Sequence, residues 1–72
     1  MTDRKKLLVI AATLGDDAGV VIKPRSIEIP AWRRRFVFDG ATGDIVKVQD
    51  VVPNSARPSL REYRTIGRVE GR

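Results

Sequence analysis

Apolar positions recur along the chain in short runs broken by glycine, proline and aspartate, the punctuation of a small β-rich fold. The first run, Lys6 to Leu14, is apolar on both faces and centres on Val9 and Ile10. Leu7, Ile10, Ala11 and Leu14 also fit one stripe of a helix. In a helix, however, Arg4-Lys5-Lys6 would stand at the positive end of the dipole, which disfavours cations, so the run is read as a strand. Gly15-Asp16-Asp17-Ala18-Gly19 is a turn by composition, and Val20-Val21-Ile22-Lys23 resumes extended structure, which predicts a hairpin between these segments. Pro24 and Pro30 bracket a short alternation, Ile27-Glu28-Ile29. Proline at such positions marks an edge or a break, so exposed, irregular β structure is expected there.

The clearest element runs from Trp32 to Val52. Trp32-Arg33-Arg34-Arg35-Phe36-Val37-Phe38 and Ile45-Val46-Lys47-Val48-Gln49-Asp50-Val51-Val52 flank the loop Asp39-Gly40-Ala41-Thr42-Gly43-Asp44. Two β-rich runs about a Gly- and Asp-containing loop predict a hairpin. With Asp39 opposite Asp44, one face pairs Phe38 with Ile45, Phe36 with Lys47 and Arg34 with Gln49. The other pairs Val37 with Val46, Arg35 with Val48 and Arg33 with Asp50. A bulge would shift these pairs by one.

Pro53 to Pro58 reads as a loop. Beyond it, Arg57, Arg61, Arg64, Arg68 and Arg72 fall at helical spacing, whereas Thr65, Ile66, Gly67 and Gly71 oppose a helix. A helical turn at Ser59 to Tyr63 followed by a final strand, with Tyr63, Thr65 and Val69 on one face, reconciles the two. The fold expected is mainly β: a small antiparallel sheet or partly open barrel of roughly four to five strands. At most one short helix joins it, near the N-terminus or Ser59.

Length and charge sharpen this picture. Residues 1–72 make a single small basic domain, with a flexible Arg-rich segment at 57–72 in this reading. So short a chain buries a modest core, and it has no cysteine with which to staple it, so a partner or a second copy is a candidate stabiliser. The formal net charge is +5, and ten of the 14 basic residues are arginine. Residues 53–72 alone carry five arginines against two glutamates. Arginine's planar fork suits phosphates, carboxylates and interface hot spots. The charged start followed by apolar residues superficially resembles a signal peptide. The apolar run is too short to span a bilayer, and no small-residue cleavage site follows, so a cytoplasmic protein without a membrane partner is expected.

Catalytic chemistry is poorly served. Without histidine or cysteine there is no Ser-His or Cys-His nucleophile, and the commonest general base is absent. A two-carboxylate hydrolase would need a pocket that so short a chain hardly provides. The Asp39–Asp44 loop lacks the alternating oxygen ligands and closing glutamate of an EF-hand, and Asp and Gly serve its turn geometry instead. No glycine pattern matches a phosphate loop. A non-enzyme without metal or cofactor is expected.

What remains is a binding module. Its candidate contact residues are Arg25, Trp32, Arg33, Arg34 and Arg35 in the first two thirds, and Arg57, Arg61, Arg64 and Arg68 in the last. Aromatics beside arginines can stack bases and neutralise phosphates, although the same aromatics are also the natural core and the arginines a solvated strand edge. The leading expectation is contact with a DNA or RNA backbone, without base readout, since no helix-turn-helix, zinc finger or RNA-recognition signature is present. The alternative is a small regulator or inhibitor of the phage or mobile-element type, docked on an acidic surface of a larger nucleic-acid-handling protein.

Overall fold

The computed structural model describes residues 2–57 and 59–68. An N-terminal helix, α1 (Asp3–Leu14), precedes five strands, β1 (Val21–Lys23), β2 (Ser26–Ile29), β3 (Arg34–Phe38), β4 (Ile45–Pro53) and β5 (Arg61–Arg68). The strands form one antiparallel meander in the order β1-β2-β3-β4-β5, which does not close. The mainly β architecture with a single helix is as the residue pattern predicts.

The expected first strand is instead α1, so no hairpin joins it to β1. The helix starts one residue before the cations. The Thr2 side chain caps it by accepting from the Lys5 N–H at 3.3 Å, and Asp3 places a carboxylate in the first turn. Lys5 and Lys6 remain exposed, where an unfavourable dipole contact costs only about 0.3–1 kcal/mol each. Against that, Leu7 and Ala11 are buried, with Leu8 and Ile10 packed beside them. Full burial of one leucine contributes about 1.5–3 kcal/mol, which outweighs the charge term. The helix ends at Gly15, whose φ of 86° favours glycine.

β2 also departs from the expected exposed, irregular structure. Far from exposed, Ser26, Ile27, Glu28 and Ile29 are all buried. The prolines flank the strand rather than enter it: Pro24 turns β1 into β2, and Pro30 opens a 3₁₀ turn, Pro30–Trp32, toward β3. β2 is an interior strand covered on both sides. Ile27 and Ile29 face α1 and join Leu7 and Phe38 in the core. Ser26 and Glu28 face the other way.

The β3–β4 hairpin closes as expected, with the Asp39 N–H donating to the Asp44 carbonyl at 2.9 Å and Phe38 opposite Ile45. A bulge then shifts the register, so Val37 pairs with Lys47, Phe36 with Val48, Arg35 with Gln49 and Arg34 with Asp50. The Asp39 carboxylate accepts from the Ala41 and Thr42 N–H groups, which hold its pKa below the ordinary 3.8. Gly43 lets the helix dock on this loop, since a Cβ there would come within 3.3 Å of Thr2. The Arg4 N–H donates to its carbonyl at 3.0 Å, and Asp3 accepts from the Ile45 N–H at 2.9 Å. The helical turn expected at Ser59–Tyr63 is absent, because β5 begins at Arg61 and pairs along β4. Val69 and Arg72 lie outside the described residues.

Leu7 and Val9 would share a face of a strand, but the helix buries Leu7 and leaves Val9 55% exposed. Leu7→Ala is therefore expected to cost about 2–5 kcal/mol in chemical denaturation. Val9→Ala should stay within about 0.5 kcal/mol. Equal losses at both positions would contradict the helix.

Candidate polyanion-binding face

The face of the sheet away from α1 is built around one buried acid. Glu28 is 4% exposed, yet its carboxylate is fully engaged: one oxygen accepts from the Tyr63 hydroxyl at 2.8 Å, and the other is ion-paired with Arg61. Both partners stand on β5, three strand spacings from β2. On a flat sheet that separation is about 14 Å. The contact therefore requires the sheet to coil, and the bulges between Val37 and Phe38 and between Val48 and Gln49 supply added bend and twist.

The rest of the face follows from strand alternation and register. Glu28 pairs with Arg35, Arg35 with Gln49 and Gln49 with Thr65. The Arg35 guanidinium donates to Gln49 Oε1 at 2.9 Å and lies 4.6 Å from the centroid of the Tyr63 ring. One row along, Lys47 stands directly opposite Arg68. Among the described residues, Arg35, Arg61, Lys47 and Arg68 thus share a surface with one carboxylate, Glu28, and a 39% exposed aromatic, Tyr63. A hollow of about 190 Å³ lies at this end of the β4–β5 pair, lined by Lys47 and Arg68 and by Ile45, Val48 and Gly67, of which Ile45 and Val48 belong to the helix side of the sheet. A second, of about 210 Å³, lies between Glu28, Arg33 and Arg61. Both are smaller than the roughly 300–1,000 Å³ of typical small-molecule sites.

The nine candidate contact residues do not form one patch. Arg35, Arg61 and Arg68 lie on this face. Arg34 points to the helix side, ion-paired with Asp50, and Arg64 stands opposite Asp50 on that same side. Trp32 and Arg33 leave the strand for the β2–β3 connection: Trp32 meets Phe36 edge-on at 6.3 Å, and Arg33 adopts a left-handed φ of 53°. Arg57 sits in the β4–β5 loop at that same end, and Arg25 in the β1–β2 turn at the other, where its guanidinium lies against Gly40. Lys47, Tyr63 and Glu28 were not among the candidates. The signal for Lys47 was its alternation with Gln49 among valines, a polar row on an otherwise apolar strand.

No helix among the described residues is long and apolar enough to cross a membrane, which says nothing of a β-barrel. Comparison with protein-family models, with curated proteins and with solved structures gives no match to this chain.

The hydrogen bond to Glu28 holds the Tyr63 phenol above its ordinary pKa of 10.0, aided by its partial desolvation and the carboxylate's charge. The folded chain keeps a proton that the unfolded chain has lost, so this contribution is complete below pH 10 and disappears as pH rises through the folded value. Tyr63 is the only tyrosine, so phenolate absorbance reads this group alone. The titration midpoint is expected above 10 in the wild type and lower in Glu28→Gln. An unchanged midpoint in that variant would contradict the contact.

Proposed function

We propose that the sheet face opposite α1 binds a polyanion, and specifically the sugar-phosphate backbone of a nucleic acid, without reading its bases. The observation that carries this reading is the direct apposition of Lys47 and Arg68. Like charges opposite one another across two strands destabilise a sheet, by amounts comparable to the roughly 0.2–1 kcal/mol that favourable pairs contribute. A phosphate set between them turns that repulsion into two charge-assisted contacts. Arg61 and the Arg35–Tyr63 stack extend the same surface, with Tyr63 offering a ring on which an unpaired base can stack. Arg35 and Arg61 are also tied into the sheet, so Lys47 and Arg68 are assigned the larger part of the electrostatic contact.

Arg33, Arg34 and Arg35 serve three different places, so they are not treated as one footprint. Charge from several loops adds a long-range attraction that steers association without defining a site. An acidic protein surface would meet the same cations, and bare nucleic acid separates the two readings.

Titration against labelled single- and double-stranded oligonucleotides at several salt concentrations tests this proposal. Binding is expected to weaken steeply with salt. Lys47→Ala and Arg68→Ala should each lower the log–log salt slope by about 0.7–0.9, the contribution of one phosphate contact. Arg34→Ala should leave that slope unchanged while costing some stability. Absence of binding at low salt would remove the nucleic-acid reading and leave an acidic protein as the partner. Equal loss in Arg34→Ala would move the site to the other face.

A further inference from the structure

The two edges of the sheet are unequal. β1 presents three residues, whereas β5 presents eight, every one of them exposed. A long uncovered edge carries unpaired N–H and C=O groups and is a template for another strand. The direction of those groups follows from β4. The Val51 N–H donates toward β3, to the Arg33 carbonyl at 2.9 Å, and in an antiparallel strand a residue's N–H and C=O point the same way. The Val51–Tyr63 pair is therefore of the non-hydrogen-bonded kind, and Tyr63 turns both backbone groups to the open edge. Arg61 does the same, opposite Pro53, which has no N–H to offer.

We propose that β5 pairs antiparallel with β5 of a second copy of this chain, about a two-fold axis at Tyr63. The occupant is set by the strand's own charge pattern. With Tyr63 on the axis, Glu62 of each copy faces Arg64 of the partner subunit, on one side of the sheet. Arg61 faces Thr65 of the partner subunit on the other. Exposed Leu60 and Ile66 meet at either end. The neighbouring registers fail. Centring on Arg61 sets arginine against arginine. Centring on Thr65 crosses the bulge at Ile66, beyond which Gly67 and Arg68 have exchanged faces relative to Tyr63 and Thr65. Tyr63 is already held by Glu28 and Arg35, so little side-chain freedom is lost on association. Edge pairing extends the sheet within its own surface and leaves the Lys47–Arg68 face open in both copies. It does not rest on the polyanion reading, since no contact in it uses Lys47 or Arg68.

A five-residue strand pair buries little area, so the association falls in the weak, reversible class. Sedimentation equilibrium up to about 1 mM is the appropriate range. The wild type should approach twice the 8.0 kDa of one chain at the upper end. Glu62→Arg and Arg64→Glu should each be monomeric alone, because each opposes like charges twice, and should pair when mixed. Thermal melting confirms that both variants fold. In parallel, Tyr63→Cys supplies the chain's sole cysteine on the axis and should oxidise readily to a covalent dimer, whereas Ile22→Cys on the β1 edge should not. A wild type that remains at 8.0 kDa throughout overturns the proposal, as do charge variants that fail to pair on mixing or equal cross-linking at the two edges.

Discussion

The Glu28 carboxylate, buried on an interior strand, is the constraint on which the arrangement depends. A lone charge removed from water would not survive there, and leaving it without a partner costs about 3–5 kcal/mol. The partners come from β5, the strand farthest along the meander, so satisfying one side chain coils the whole sheet. Tyr63 is then fixed by two contacts, to Glu28 and to Arg35, and Arg61 is drawn inward while half of its side chain stays exposed. The polar side of the sheet is thus organised by a short network rather than by an apolar core, which on the opposite side is filled by Ile27, Ile29, Phe38 and Leu7.

This division of labour explains how so short a chain keeps one arrangement. β2 carries both halves of the solution in four residues: its isoleucines seat α1, and its glutamate recruits β5. At the other end of the sheet, Asp3 accepts from the Ile45 N–H and the Arg4 N–H donates to the Gly43 carbonyl, which ties the β3–β4 loop to the start of the helix. The two anchors leave the cations Lys47 and Arg68 opposite each other, and among the described residues no acid stands beside them in register across the neighbouring strands. A face built in this way is preorganised, since its framing residues are already hydrogen-bonded to one another.

Local signals were legible and distant ones were not. The β3–β4 hairpin could be read because Asp39, Gly40 and Gly43 lie between two β-rich runs, and its first pair, Phe38 with Ile45, follows from the loop alone. The bulge that shifts the later pairs has no marker in that stretch. The helix is hard to read because its cap, Thr2 with Asp3, lies just before the basic triplet, whose cations by themselves argue against a helix start. Ile27-Glu28-Ile29, between two prolines, reads as exposed, irregular β structure until Arg61 and Tyr63, more than thirty positions away, are brought over it. The arginines stand out as a class, but charge composition does not say which are spent on structure. Arg34 is tied to Asp50 and Arg61 to Glu28, and Lys47 carries the charge that the arginine count concealed.

If the proposed polyanion meets the Glu28-organised face, and not the loops or the helix, a residue-resolved NMR titration with a short single-stranded oligonucleotide at low salt will reveal it. Shifts are expected to concentrate at Lys47, Gln49, Tyr63, Thr65 and Arg68, with Lys5, Lys6 and Val9 on the helix unmoved. Shifts confined to the helix and the Arg25 turn, or none at saturating oligonucleotide, would contradict that placement.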